Sequence, residues 1–135
     1  MANLLIEIGN TAVKAAWSDE MTLGKTFRYQ GEKVMNFIIS LVEKEKPTIM
    51  IVASVYDIQS SDEALMKKKC QQLLILDSAH SQTLAQYGLP ECLTYDRAAS
   101  IIAARYLFKG KGSTVFDFGN TLTVDFTDSE GHYEG

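Results

Sequence analysis

The sequence has few of the residues that cross-link small secreted domains or bind metals. It contains only two cysteines, Cys70 and Cys92, and their separation does not match the spacing of metal ligands. With no secretory signal, both are expected to be reduced thiols in a cytoplasmic protein. The two histidines, His80 and His132, lie in polar, loop-like contexts, so neither is expected to be a metal ligand. A chain of 135 residues is long enough to bury a core as a single domain, which is the first expectation.

Composition also argues against two classes of partner. The net charge is −4, so the chain lacks the basic surface of nucleic-acid-binding proteins, and we expect no nucleic-acid partner. Its longest apolar stretches are far shorter than a membrane span, so we expect no membrane partner. A ligand that carries phosphate would therefore have to be held locally, by backbone N–H groups, one or two lysines and a metal ion.

Two short segments near the two ends of the chain echo each other. Residues 5–11 read LIEIGNT and residues 115–121 read VFDFGNT. Each pattern predicts a strand, a tight glycine turn and a returning strand. Glycine lets backbone approach a ligand, Asn and Thr add hydrogen-bonding groups, and the acid before the turn can hold Mg²⁺ through water. Two facing copies would form a clasp for a nucleoside triphosphate; the alternative is two unrelated hairpin turns.

Hydrophobic periodicity predicts strands interspersed with helices. Strands are expected at residues 3–8, 11–17, 22–29, 48–54, 73–76, 113–118 and 122–128. Helices are expected at residues 32–46, 60–69 and 96–108, with Pro47 ending the first and Ser60 or Ser61 capping the second. The apolar side of the third helix is predicted to comprise Ala98, Ala99, Ile102, Ala103 and Tyr106. This order predicts a mixed α/β sheet with helices on its faces.

The last residues predict a fragment of a longer protein. A third strand begins at residues 131–133, and a second unit like the first should follow the second hairpin. We expect residues 1–112 to form an N-terminal domain and residues 113–135 to be the first hairpin of a truncated second domain. The alternative is a small domain whose final hairpin joins the sheet. A lone hairpin is expected to be poorly ordered or packed against a neighbouring copy.

Three blocks of sequence, in order, resemble type III pantothenate kinase, a family of the acetate and sugar kinase, Hsp70 and actin superfamily. Residues 7–14 read EIGNTAVK, similar to the family's Asp-x-Gly-Asn-Thr-x-x-Lys. Residues 87–97 read YGLPECLTYDR, similar to Tyr-x-x-Pro-x-x-Leu-Gly-x-Asp-Arg. Residues 117–125 read DFGNTLTVD, similar to Asp-x-Gly-Thr-Ala-x-Thr-x-Asp, and Gly131-x-Tyr133-x-Gly135 resembles the Gly-x-Tyr-x-Gly that follows it. The resemblance covers the whole chain and implies a ribonuclease H-like mixed sheet with flanking helices, an actin-like ATPase domain, with the second domain truncated.

The resemblance also implies a reaction. ATP would phosphorylate the 4′-hydroxyl of the small-molecule substrate pantothenate, the first step of coenzyme A biosynthesis, with Mg²⁺ and a monovalent cation, K⁺ or NH₄⁺. It implies a homodimer formed partly through the Ala-rich helix, and the fragment alone is expected to be inactive. Two alternatives stay open: a non-catalytic nucleotide-binding regulator, because the family includes proteins described as transcriptional accessory factors, and a scaffold domain without a ligand.

Residue roles follow from the same resemblance, each with a plainer alternative. Asp96 matches the general base that takes the proton from the hydroxyl; alternatively it caps a helix. Arg97 matches a substrate-contacting residue that suits the pantothenate carboxylate, and its alternative is a surface salt bridge. Tyr87 and Thr94 match further substrate-binding positions, and the alternative for Tyr87 is a loop anchor.

The remaining matches concern phosphate and metal. The expected ATP and phosphate contacts are Glu7, Gly9, Asn10, Thr11, Lys14, Gly119, Asn120 and Thr121, with Thr123 as a further candidate. Asp117 is implied near the monovalent cation, and Glu7 near Mg²⁺, through water. The chain departs from the family pattern with Glu7 in place of Asp, Thr94 in place of Gly, and Asn120-Thr121 in place of Thr-Ala. The alternative for the phosphate contacts is a plain role in turns.

Overall fold

Two compact units make up the chain, Met1–Ala79 and His80–Gly135. The computed structural model describes residues 2–80, 82–119 and 121–135, without the side chains of His80 and Thr83. The boundary predicted at residues 112 and 113 concerns the domains of a longer protein, and it stays a prediction.

The first unit is built on a five-stranded mixed sheet. Its strands are β1 (Asn3–Ile8), β2 (Val13–Asp19), β3 (Thr22–Tyr29), β4 (Ile49–Ser54) and β5 (Gln72–Leu76), in the order β3-β2-β1-β4-β5. The first three strands are antiparallel neighbours, whereas β4 runs parallel to β1 and β5 runs parallel to β4. This arrangement is the mixed sheet that the sequence predicted.

Side-chain alternation explains how the sheet buries its core. In β1, alternate residues Leu4, Ile6 and Ile8 are buried while Glu7 is exposed, which is the period of two expected for a strand with one face on the core. The central strand β4 is apolar almost throughout, and its last three residues are all buried, as expected for a strand covered on both faces. The core cluster of this unit comprises Leu4, Ile6, Ile8, Val13, Ala15, Ile38, Val42, Met50, Val52, Met66, Cys70 and Ile75.

Both helices of this unit are shorter than predicted. Helix α1 (Val34–Leu41) ends well before Pro47, the predicted end, because residues 43–46 are all charged and offer nothing apolar to the core. Helix α2 (Ser60–Lys67) has Gln59 as its N-cap, so the predicted capping by Ser60 or Ser61 is wrong; both serines lie inside the first turn. Within the described residues, no helix is long and apolar enough to cross a membrane.

Two short helical segments that the sequence did not predict lie at the boundary between the units. A 3₁₀ turn at Ser78–His80 leads into helix α3 (Gln82–Gln86), and helix α4 (Tyr95–Leu107) follows. The chain then forms a separate two-stranded sheet of β6 (Ser113–Phe118) and β7 (Leu122–Thr127). These two strands confirm the predicted second hairpin to within one residue.

The C-terminal hairpin packs on its own chain. Strands β6 and β7 contact helix α4. The expectation that the hairpin packs against a neighbouring copy stays a prediction. The predicted third strand is not formed as a strand, but residues 131–135 run beside β7: the N–H of Phe126 donates to the carbonyl oxygen of Gly135 at 3.0 Å, and the N–H of Glu134 donates to that of Phe126 at 2.8 Å. A β-bridge joins Thr127 to Tyr133.

The buried face of helix α4 is rotated from the predicted one. Tyr95, Ala98 and Ile101 are buried, whereas the predicted core residues Ala103 and Tyr106 are exposed. The prediction began the helix at Asp96 and so left out Tyr95. Of the predicted residues, Ala98 is buried as expected, and Tyr95 and Ile101 lie three positions before and after it on the same face of the helix.

The hairpin turns its polar face inward. Asp125 and Thr127 are buried, whereas the opposite face exposes large apolar side chains: Phe116, Phe118, Leu122 and Phe126. Cross-strand pairing places Phe116 opposite Val124 and Phe118 opposite Leu122 on that outer face. Polar chemistry is thus concentrated on the side of the hairpin that carries Asp125.

A matched pair of methionines tests the core of the first unit. Met50 in β4 is fully buried, whereas Met21, between β2 and β3, is 67% exposed. Met50→Ala is expected to lower the free energy of unfolding by about 2–5 kcal/mol, because it leaves a cavity. Met21→Ala is expected to change it by no more than about 0.5 kcal/mol. Urea unfolding of both variants measures the difference, and equal losses would show that Met50 is not in the core.

Candidate functional site

The first glycine turn connects β1 to β2. The N–H of Gly9 donates to the carbonyl oxygen of Ala12 at 3.0 Å and closes a four-residue loop. A Cβ atom at Gly9 would lie 3.3 Å from that same oxygen, so a larger residue would crowd the turn. Asn10 and Thr11 are exposed at its tip. Both polar side chains are therefore available to a ligand at the carboxyl end of β1.

Glu7 and Lys14 are cross-strand neighbours beside this turn. They lie opposite each other in the β1–β2 register, and Lys14 lies opposite Arg28 in the β2–β3 register. All three side chains are exposed on the same face of the sheet. The sequence predicted Glu7 and Lys14, but it gave no sign of Arg28, because strand register is a tertiary property. An acid beside two cations at the edge of the turn suits a phosphate group with an accompanying metal ion.

Polar groups at the ends of β4 and β5 form hydrogen bonds to the backbone of the loops that follow these strands and of the Gly9 turn. The Tyr56 hydroxyl donates to the carbonyl oxygen of Asn10 at 3.4 Å, and Ser54 Oγ bonds both the N–H and the carbonyl of Tyr56 at 3.0 and 2.6 Å. The buried Asp77 accepts hydrogen bonds from the N–H groups of Ile58 at 2.9 Å and Ala79 at 3.1 Å. The sequence did carry a signal for these contacts, because a polar residue stands at the end of each apolar run. Ser54 is the last residue of β4, and Asp77 directly follows β5.

In the second unit, Asp96 lies in the first turn of helix α4. The N-cap of the helix is Thr94, which makes no side-chain capping bond, so the alternative that Asp96 is the cap is wrong. Among the described residues, the buried oxygen Oδ1 of Asp96 has no hydrogen-bond partner. Buried polar atoms are almost always paired. A carboxylate at a helix N-terminus is favoured by the helix dipole, and Oδ1 of Asp96 keeps an acceptor position that no described donor uses.

Arg97 forms an ion pair with Asp125 of β7. Its Nε donates to Oδ2 at 3.1 Å and its Nη2 donates to Oδ1 at 2.5 Å, while the Tyr133 hydroxyl donates to Oδ1 at 2.7 Å. Asp125 is only 1% exposed, so this is not the surface salt bridge that was the alternative for Arg97. The sequence showed Asp125 and Tyr133 as parts of motifs, but it did not show that they meet Arg97.

This contact shifts three pKa values. The hydrogen bond from Arg97 holds the pKa of Asp125 below its ordinary value, and the same bond raises the pKa of Arg97. Burial, with the hydrogen bond to Asp125 as a second cause, raises the pKa of Tyr133. At neutral pH the cluster therefore holds a carboxylate, a guanidinium cation and a neutral phenol.

Tyr87 follows helix α3 at a glycine turn. Gly88 adopts a positive φ of 66°, which glycine accommodates without strain. Arg105 of α4 donates from Nη1 to the carbonyl oxygen of Tyr87 at 2.6 Å. The backbone of Tyr87 is thus anchored while its ring stays exposed. Arg105 was not predicted.

The second glycine turn is shorter than the first. The N–H of Gly119 donates to the carbonyl oxygen of Thr121 at 3.2 Å in a three-residue loop, and Gly119 and Thr121 are exposed. The predicted phosphate contact Asn120 lies outside the described residues. The two turns therefore share their sequence but not their length.

Asp117 and Thr123 offer oxygen atoms beside this turn. They are cross-strand partners, and Thr123 Oγ1 is buried without a partner among the described residues. Carboxylate and hydroxyl oxygens suit hard cations. Within residues 2–80, 82–119 and 121–135, no cluster of three or more His, Cys, Asp and Glu could hold a metal ion. A cation here would therefore need further oxygen atoms from backbone, solvent or substrate.

The predicted site residues fall into separate groups. Glu7, Gly9, Asn10, Thr11 and Lys14 lie together around the first turn. In the second unit, Thr94, Asp96 and Arg97 start helix α4, while Asp117, Gly119 and Thr121 belong to the hairpin. The ion pair between Arg97 and Asp125 joins the helix to the hairpin.

Comparison with solved structures supports the fold. The hexokinase of the ROK family from Thermus thermophilus superposes with a TM-score of 0.57 at 10% identity, over 98% of this chain and 47% of that one. A glucokinase from an Antarctic psychrotroph gives a TM-score of 0.53 at 12% identity, over 98% and 48%. At these identities the likeness concerns the fold alone, and it confirms the predicted class of a mixed sheet with flanking helices.

Sequence comparison goes further. A protein of Bacteroides fragilis named type III pantothenate kinase is 35% identical over 134 residues, which are 98% of this chain and 55% of the relative. A protein of Phocaeicola vulgatus with the same name is 28% identical over the same shares. The chain thus spans about half the length of the curated relatives it matches. The family model for type III pantothenate kinase matches residues 3–135. Nearly the whole chain is covered by that match, and the chain belongs to the type III pantothenate kinase family.

Proposed function

We propose that the protein containing this chain transfers the γ-phosphoryl group of ATP to the 4′-hydroxyl of pantothenate, and so begins coenzyme A biosynthesis. Family membership supports this reaction, since the named relatives are pantothenate kinases. The single structural observation that carries the proposal is the unpartnered, buried Oδ1 of Asp96 at the start of helix α4. No comparable support exists for the alternative of a non-catalytic regulator.

Asp96 is the general base of this proposal. A primary alcohol is a weak nucleophile, and a carboxylate that accepts its proton during attack on the phosphoryl group accelerates the reaction. An oxygen already paired with a protein donor would be poorly available for this step. Since Asp96 Oδ1 has no such donor among the described residues, it can accept the hydrogen bond of the incoming hydroxyl.

The first glycine turn supplies phosphate contacts. Lys14, with Arg28 beside it, offers positive charge, while Thr11 and the backbone at Gly9 offer hydrogen-bonding groups. The exposed carboxylate of Glu7 suits Mg²⁺ held through water, because Mg²⁺ in kinases commonly binds one or two carboxylates and the substrate phosphates. When bound, the ion offsets the negative charge of the phosphoryl group.

In the second unit, the hairpin and the start of α4 supply the other contacts. Asp117, with Thr123, provides oxygen atoms for a monovalent cation, and the exposed residues Gly119 and Thr121 contact phosphate. Tyr87, Thr94 and Arg97 bind pantothenate, with the guanidinium directed to its carboxylate. The homodimer and the cytoplasmic location stay predictions.

The reaction itself is tested with the complete gene product that contains this sequence. We expect ATP-dependent phosphorylation of pantothenate that requires Mg²⁺ and is stimulated by K⁺, measured by coupling ADP release to NADH oxidation. Mass spectrometry of the product checks that a single phosphate has been added. No turnover above background at millimolar pantothenate would reject the proposal.

A single substitution tests the role of Asp96. Asp96→Asn keeps the size of the side chain but removes the base, so kcat is expected to fall about 10²–10⁴-fold with the fold retained. Asp62→Asn is the matched control, because Asp62 also lies in the first turn of a helix but belongs to α2. A fully active Asp96→Asn enzyme would show that Asp96 is not the base.

The 135-residue chain is expected to lack activity on its own, and to bind ATP weakly. The chain spans about half of its relatives, so contacts from the remaining half would be missing. Titration calorimetry with ATP and Mg²⁺ should therefore give no heat, or a dissociation constant well above the micromolar range. Micromolar binding by the monomeric chain would contradict this expectation.

A further inference from the structure

We infer that Asp125 is a positioning residue that clamps one edge of the Arg97 guanidinium and thereby directs its other edge to the substrate carboxylate. The inference rests on the proposed function, because it names how the pantothenate kinase site would recognise the acid group of its substrate. It concerns two residues, Asp125 and Tyr133, for which the motifs suggested no role.

The geometry of the ion pair leaves half of the guanidinium available. A guanidinium group carries five N–H donors in one plane, and two of its edges can each grip a carboxylate with two hydrogen bonds. Asp125 occupies the side edge, formed by Nε and Nη2. Nη1 makes no hydrogen bond to any described residue, and the Arg97 side chain is 29% exposed. The end edge, formed by Nη1 and the second proton of Nη2, can thus meet a second carboxylate.

The clamp is itself held in place. Asp125 is almost completely buried in β7, and its Oδ1 also accepts the hydrogen bond from the Tyr133 hydroxyl. Tyr133 is tied to the same strand by its β-bridge to Thr127. Because both carboxylate oxygens are engaged, the Asp125 side chain has little freedom to rotate. The edge of the Arg97 guanidinium that it holds is restrained in the same way.

Charge alone would not make this a good site for a carboxylate. Asp125 and Asp96 both interact electrostatically with Arg97, so one cation is flanked by two anions. A substrate carboxylate is then recognised by directed N–H donors rather than by an excess of positive charge. Recognition of this kind depends on orientation, and loss of the clamp should weaken the discrimination between a carboxylate and a neutral amide of the same shape.

The test compares pantothenate with its primary amide as substrates of the complete gene product. For Asp125→Asn, we expect the ratio of kcat/KM for the acid to that for the amide to fall about tenfold or more, with KM for ATP unchanged. Asp128→Asn is the matched control: Asp128 lies three residues away and bonds His132, and its substitution should leave the ratio unchanged. Tyr133→Phe removes one hydrogen bond from the clamp and should lower the ratio by a smaller factor.

A second measurement does not depend on turnover. In ¹⁵N NMR spectra of the wild-type protein, the Nε–H of Arg97 is expected to exchange slowly with water, because Asp125 holds it. The Arg97 signal is assigned as the one that disappears from the spectrum of Arg97→Lys, because a lysine side chain has no Nε–H group. If every arginine Nε–H exchanges rapidly, the clamp does not exist and the inference is wrong.

The outcomes separate this inference from the proposed function. If the wild-type enzyme phosphorylates pantothenate but Asp125→Asn lowers the activity on acid and amide in equal proportion, the ion pair is only structural and the inference is overturned. If the wild-type enzyme phosphorylates neither, the proposed function fails, and the assignment of the free edge to a substrate carboxylate fails with it. A selective loss of the preference for the acid supports both.

Discussion

A carboxylate that is removed from water must be matched by a cation and by hydrogen-bond donors, and the second unit is organised around this requirement at Asp125. The partners come from two different places in the chain, Arg97 at the start of α4 and Tyr133 after β7. Removing one partner from a buried ion pair costs about 3–5 kcal/mol, since the remaining charge is left uncompensated. The same contact thus joins the hairpin to the helix and fixes the side chain next to Asp96.

The first unit meets a simpler constraint. Its central strands β1 and β4 are parallel neighbours with alternating or continuous apolar side chains, so the sheet places the end of β1 and the Gly9 turn at the rim of a well-packed core. Exposed polar residues on this rim, Glu7 and Lys14 among them, can be used for binding because burial of Ile6 and Ile8 on the other face has already fixed the strand. Alternate residues of the same strand thus either stabilise the core or stay exposed to solvent.

Much of this could be predicted from local patterns, and the failures have identifiable causes. Strands β1 and β3 follow from their residues alone, and the start of helix α4 was predicted to within one residue. Helix ends and faces were less predictable, because the inward turn of Tyr95 depends on packing that periodicity does not encode. The role of Asp125 was hidden for the same reason, since its partner lies 28 positions earlier in the sequence and is reached only through the tertiary fold.

The measurement that bears most directly on this account is a crystal structure of the complete gene product with pantothenate and a non-hydrolysable ATP analogue. The account predicts that the 4′-hydroxyl lies within about 3.2 Å of Asp96 Oδ1, as a general base requires. It also predicts that the pantothenate carboxylate meets the Nη1 edge of Arg97 while Asp125 keeps the Nε edge. A hydroxyl bound away from Asp96, with the carboxylate held by other cations, would contradict it.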